Sequence, residues 1–275
     1  MILGNRHLVI PDTQCKPGVP LEHLLWLGDY IADKRPETIV HLGDHWDMPS
    51  LSEYDKGKKV AEGRRYSADI AAGNLGLDLL MRPIQNLNAR LREKHEPLYK
   101  PRKVFTLGNH EQRIQRHVNA NAHLAGKIGY HDFNLKQHGW EVHDFLQLVN
   151  VDGIAYAHYF PNPNSGKPWG GAVLLRLKNI GFSFTMGHQQ GKQQAERYLQ
   201  DGTAQRGLVI GSYYQHDEEY KGPQGNYHWR GVIMKHEVTE GNYDLMEVSL
   251  NYLRNRYLEK YPNRKHKRIA YEHRE

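Results

Sequence analysis

Three apolar runs in the first half of the chain each stop on a polar cluster, and this recurrence restricts the fold more than any other feature. They are His7–Asp12 (HLVIPD), Thr38–Asp44 (TIVHLGD) and Lys103–His110 (KVFTLGNH). Short, unbroken runs of this kind read as strands buried on both faces. Helical patterns separate them. One covers about Leu21 to Lys34. A longer one carries Ile70, Leu77, Leu80, Ile84, Leu87 and Leu91 at spacings of seven, three and four, so that they share one face. A further helix is expected from Glu111 to roughly Gly126.

The second half reads as hairpins. Leu146–Val149 and Ile154–His158 flank Asp152-Gly153, Gln193–Gln200 and Gly207–Gly211 flank Asp201-Gly202, and Gly231–Val238 and Tyr243–Leu250 flank Glu240-Gly241-Asn242. A strand (FSFTM) ends at Met186, and one helical stretch, Gly171–Ile180, intervenes. Alternation followed by hairpins predicts an α/β fold of two packed mixed β-sheets with helices outside, in one domain over residues 1–253. The longest polar loop, 48–66, opens an insertion of residues 48–100 that also contains the long helix.

Composition narrows the setting. Cys15 is the only cysteine, which excludes an intrachain disulfide and suits a reducing cytoplasm. No stretch approaches the roughly 18 uncharged apolar residues of a spanning helix, and Arg6 and His7 interrupt the apolar N-terminus, unlike a signal peptide. A membrane partner is therefore not expected. The formal charge of +6 resides mostly in residues 254–275, where eight Lys/Arg meet three Asp/Glu. That segment is expected to be a basic tail, either solvated or in contact with phosphate backbones.

The strand ends carry the chemistry. Asp12-Thr13-Gln14 closes the first, Gly43-Asp44-His45-Trp46-Asp47 the second and Gly108-Asn109-His110-Glu111 the third, followed by His158 at the end of a hairpin strand and Gly187-His188-Gln189-Gln190 after FSFTM. Residues just past the carboxyl ends of neighbouring strands converge on one sheet edge. A single Gly-Asp is only a turn signal, but the ordered set points to a metal site.

This order resembles the signature of the calcineurin-like metallophosphoesterase superfamily, DxH, GDxxD, GNH(D/E), H and GHxH, over roughly residues 7–190, and in general likeness its phage and prophage members. The resemblance implies a four-layer sandwich and two divalent cations about 3.5–4 Å apart that clamp a phosphate and acidify a water. By that resemblance Asp12 holds the first metal, Asp44 bridges, and Asn109, His158 and His188 hold the second; His143 is the reserve for His158. His110 corresponds to the family's non-ligand histidine, which binds phosphate and protonates the leaving oxygen, with Glu111 orienting it and Asp47 behind the ligands.

Gln14 and Gln190 stand where the family has histidine, both at the first metal. As ligands they would make that site oxygen-rich and favour Mn²⁺ or Mg²⁺ over zinc or iron; alternatively they bind no metal, and for the pair of ions, Mg²⁺, Zn²⁺, Fe and Ni²⁺ are the alternatives to Mn²⁺. Mn²⁺ is the expected ion. Arg64 and Arg65 of the insertion, with Arg113 and Arg116, are candidates for substrate phosphate, and Trp46, Tyr54, Tyr159, Phe160 and Trp169 could stack on a base or serve as packing. The expected function is hydrolysis of a nucleotide or nucleic-acid (DNA or RNA) phosphodiester. A phosphomonoesterase or phosphoprotein phosphatase, and a retired nucleic-acid-binding or assembly subunit, are the alternatives. If the chain is phage-encoded, it works in the host cytoplasm.

Overall fold

The structure is a computed structural model that describes residues 5–218, 221–262 and 268–272. The three apolar runs form β1 (Asn5–Ile10), β2 (Thr38–His41) and β3 (Arg102–Thr106), paired in parallel. They lie in a six-stranded sheet of order β11-β10-β1-β2-β3-β4, with β4 at Glu141–His143, β10 at Gly231–Thr239 and β11 at Asn242–Ser249. β1 and β10 are antiparallel, so the sheet is mixed. The second sheet, order β5-β6-β7-β9-β8, is also mixed; it holds β5 (Val149–Val151), β6 (Ile154–Ala157), β7 (Phe184–Met186), β8 (Lys192–Tyr198) and β9 (Ala204–Ile210).

Two hairpins carry residues of positive φ at both turn positions, Asp152-Gly153 and Glu240-Gly241, the conformation whose twist matches paired strands. The third, around Asp201-Gly202, uses a longer loop between Tyr198 and Ala204.

Alternation along the strands builds four layers. Leu8, Ile10, Ile39, Phe105, Val232 and Met234 face α1 (Glu22–Lys34) and α2 (Tyr66–Glu93). Their neighbours Val9, Val40, Val104 and Ile233 meet Ile154, Tyr156, Leu208 and Ile210 of the second sheet. The outer face of that sheet, with Ala155, Phe184, Met186 and Val209, packs on Val173 and Leu177 of α4 (Val173–Ile180). The helix after Glu111 is shorter than expected: α3 spans Gln112–Ala120, and Ala122–Leu124 is a separate 3₁₀ turn. A four-residue turn of helix, α5, occupies Gly222–Gly225.

Two expectations shift. The segment read as a polar loop, 48–66, forms three 3₁₀ turns up to the start of α2, and α2 backs the sheet: Leu77 and Leu80 belong to the core, and Gly73 O lies 2.9 Å from His45 Nε2. The boundary placed at 253/254 falls inside α6 (Leu250–Lys260). Arg256 and Lys260 there pair with Asp29 and Asp33 of α1, so this part of the basic segment is docked, not a free tail. Residues 268–272 also lie along the body, where Ile269 O accepts from Leu21 N and Tyr271 O from Gly18 N. Residues 263–267 and 273–275 of the expected tail lie outside the described residues. No helix among the described residues is long and apolar enough to cross a membrane.

Candidate metal centre

The loops after β1 and β2 zip together through their backbones before any side chain is placed. Thr13 N and Gln14 N donate to Asp44 O, Cys15 N donates to His45 O, and Asp47 N returns a bond to Cys15 O. The loop after β3 joins through Glu111. This fully buried carboxylate accepts from four backbone N–H groups, those of Asp44 (2.9 Å), His45 (2.7 Å), Trp46 (3.0 Å) and Gly108 (2.8 Å). Glu111 therefore does not orient His110 as expected; it clamps one ligand loop to the next. Three of the polar residues here, Gln14, Asp44 and His188, adopt positive φ, a strain that the cross-loop bonds must hold.

Upon that frame the side chains converge. His158 donates through Nδ1 to Leu42 O (2.7 Å), which turns Nε2 inward to 2.9 Å from Asn109 Oδ1 and 3.3 Å from Asp44 Oδ2. His188 Nδ1 lies 2.8 Å from the same Asn109 oxygen. Among the described residues, Asp44, His158 and His188 form a group whose ligand atoms all lie within 4.8 Å of one another, and it could hold a metal ion.

Asp12 approaches the group through the His188 backbone. Its Oδ1 accepts from His188 N (3.0 Å), while its Oδ2 and Gln14 Oε1 are buried without a hydrogen-bond partner. Each of these buried, unpartnered oxygens, one from a carboxylate and one from an amide, is a donor of the kind a hard cation takes. Gln190 differs: its Oε1 accepts from the Tyr214 hydroxyl at 2.6 Å.

Electrostatics agree with this division. Burial and the charge of Asp44 push the Asp12 carboxyl up, against the opposing pull of His158 and His110. Burial also acts against an ionised Asp44, yet the His110 and His158 imidazoles outweigh it and hold that carboxyl well below its usual range. His158 is raised to about 9, because Asp44 overcomes the effect of burial, and His188 is lowered to about 4 by burial and by His158.

His110 is oriented by Asp47. Its Nδ1 donates to Asp47 Oδ1 at 2.6 Å, leaving Nε2 3.8 Å from Asp44 Oδ2 and 3.2 Å from Arg113 Nη2. Arg113 is itself fixed on Asp47 O and Met48 O. Arg64 is held by Asp55 and Pro49 O, and Arg65 donates to Arg64 O, so neither bonds to the cluster. His143 bonds Glu141 and is not a ligand candidate. Trp46 and Phe160 are core packing, Trp46 stacked on Phe133 at 4.0 Å; Tyr159 remains near the site, its ring 4.9 Å from that of His188.

Sequence reasoning missed Lys16. Its Nζ lies 3.1 Å from Asp47 Oδ2 and 2.7 Å from Glu218 Oε1. Only its place four residues after Asp12 hinted at this.

No protein-family model matches the chain. Over 67 residues, 24% of its length, it is 37% identical to the Gene 54 protein of Mycobacterium phage L5; the match takes in 26% of that protein, so the chain spans about a quarter of the length of this curated relative. A solved crystal structure aligns with 89% of this chain and 99% of its own length, at 14% identity and a TM-score of 0.38, a likeness too slight to carry an argument.

Proposed function

We propose that the chain is a metal-dependent phosphoesterase of the metallophosphoesterase type, acting on a nucleotide or nucleic-acid phosphodiester. The observation that carries this reading is the convergence of Asp44, His158 and His188, with Asn109 Oδ1 between the two imidazoles, Asp12 tied to the His188 backbone, and His110 at the edge on an Asp47 support. Asn109, His158 and His188 would hold one cation, Asp12 and Gln14 a second, and Asp44 both. Bound there, divalent cations supply charge for a phosphoryl group and lower the pKa of water.

The protein's own part is positional. Glu111 fixes the loop that carries Asp44, and Leu42 O fixes the His158 tautomer. The Asp47 bond leaves His110 Nε2 facing the cluster, where it can hold a proton for a departing oxygen. The Arg113 guanidinium, on the same side, is available to a phosphate oxygen. Oxygen donors at Asp12 and Gln14 favour Mn²⁺ or Mg²⁺ there. The similarity to a phage protein suits a phage-encoded enzyme working in a host cytoplasm.

The test is turnover with added Mn²⁺ of bis-p-nitrophenyl phosphate, p-nitrophenyl phosphate, cyclic nucleotides and single- and double-stranded DNA, beside His110→Ala and Asp44→Ala. Metal-dependent hydrolysis lost in both variants is expected. Folded protein that turns over none of these with Mn²⁺, Mg²⁺ or Zn²⁺ would overturn the reading in favour of a non-catalytic subunit.

A further inference from the structure

We propose that Lys16 is a positioning residue for His110, acting through Asp47; this rests on the phosphoesterase reading above. The Asp47 carboxylate is bonded on both sides. Oδ1 takes the His110 Nδ1 proton at 2.6 Å, and Oδ2 faces Lys16 Nζ at 3.1 Å. Lys16 is itself held by both oxygens of Glu218, at 2.7 and 2.9 Å, and His216 Nε2 bonds Glu218 Oε1 at 2.8 Å. The result is a row of five groups of alternating charge character, His110, Asp47, Lys16, Glu218 and His216, running back from the site. Only about a fifth of the Lys16 side chain is exposed, and about a tenth of each carboxylate.

The backbone shows that this row is built into the fold. Lys16 directly follows Cys15, whose N and O pair with His45 O and Asp47 N, and the loop bearing Glu218 is tied to the same segment by Tyr213 N donating to Asp12 O. Three chain segments, drawn from far apart in sequence, thus fix one ammonium group beside Asp47. A carboxylate bonded on one oxygen alone can rotate about its terminal torsion, which is broad and soft. Bonded on both, it holds the imidazole plane and the direction of Nε2. Lys16 also separates two nearly buried carboxylates, Asp47 and Glu218, which would otherwise repel each other and move apart.

Positioning of a proton donor has a signature that general loosening lacks: it matters for a poor leaving group and little for a good one. The wild type, Lys16→Met, Lys16→Arg and Glu218→Gln should be compared with Mn²⁺ on an aryl and an alkyl ester of whichever class, mono- or diester, the wild type hydrolyses. Lys16→Met is expected to lower kcat on the alkyl ester by about 30-fold or more, with KM little changed, and on the aryl ester by less than about threefold. Lys16→Arg should recover most of the loss. Glu218→Gln, which keeps the lysine but weakens its anchor, should give a smaller loss of the same selectivity and serves if Lys16→Met does not fold.

A second readout needs no turnover. In the metal-free protein with labelled histidine, the His110 Nδ1 proton should give a downfield resonance that shifts or broadens in Lys16→Met and returns in Lys16→Arg. Equal losses on both esters, or an unmoved resonance, overturn the proposal and leave the phosphoesterase reading intact. A wild type that hydrolyses neither ester with any metal removes both.

Discussion

Gly108 lies so close to the Asp44 carboxylate that a β-carbon on it would overlap Asp44 Oδ1 and crowd the Asp44 backbone nitrogen. Gly187 repeats the arrangement at Asp12, where a β-carbon would sit 2.6 Å from Oδ1. The glycine ahead of each ligand is therefore a seat for a carboxylate from another strand. Gly108→Ala is expected to displace Asp44 and lower Mn²⁺ affinity by roughly tenfold or more, measured by titration calorimetry. Affinity within about twofold of the wild type would show that the seat is not required.

Glu111 offers a separate test, because it holds the loops and not the metals. Glu111→Gln keeps the size but presents an amide NH₂ to N–H groups that now face an oxygen. Leaving buried donors unmatched in this way should cost about 3 kcal/mol or more of stability. Urea unfolding of the metal-free protein measures it, and a loss below about 1 kcal/mol would contradict the clamp.

The two glutamines should behave differently. Gln14 Oε1, like Asp12 Oδ2, is buried and unpartnered, whereas Gln190 Oε1 is occupied by the Tyr214 hydroxyl. Gln14→Ala is expected to weaken the looser of two bound Mn²⁺ ions by roughly tenfold, in the range seen when groups at metal sites are removed. Gln190→Ala should change it by less than about threefold. The reverse order would make Gln190 the ligand.

What could be read in the sequence, and what could not, follows from range. The strand ends were legible because an apolar run, a glycine and an acid are adjacent in the chain. The Asp152-Gly153 and Glu240-Gly241 turns were legible for the same reason. Helix α6 was not: its buried residues are Leu253 and Tyr257 alone, too few for a periodic signal amid its charges. Glu111 looked like a partner for its neighbour His110, yet its bonds cross to residues 44–46. The Lys16–Glu218 pair spans 202 positions, and the place of Lys16 shortly after Asp12 says nothing of Glu218.

Acid stability supplies the last test, away from the ligands. His23 on α1 is buried, its Nε2 has no partner and its ring meets Tyr213 edge-on at 5.1 Å. Burial, aided by His216 and His45, lowers its pKa from 6.5 to about 3. His7 is lowered to about 4, by burial against the opposing bond to Asp152. In both cases the unfolded chain binds a proton below pH 6.5 that the folded chain refuses. The share of stability that depends on these two histidines is therefore full above about pH 6.5 and falls as the pH drops toward 4, by about 1.4 kcal/mol per pH unit for each. His23→Leu should remove one such share, so that the difference between variant and wild type narrows or reverses in the variant's favour by about 1.4 kcal/mol for each unit between pH 6 and 4. Urea unfolding at pH 7, 6, 5 and 4 measures it. Parallel pH profiles for the two proteins would mean that His23 does not stay neutral in the fold.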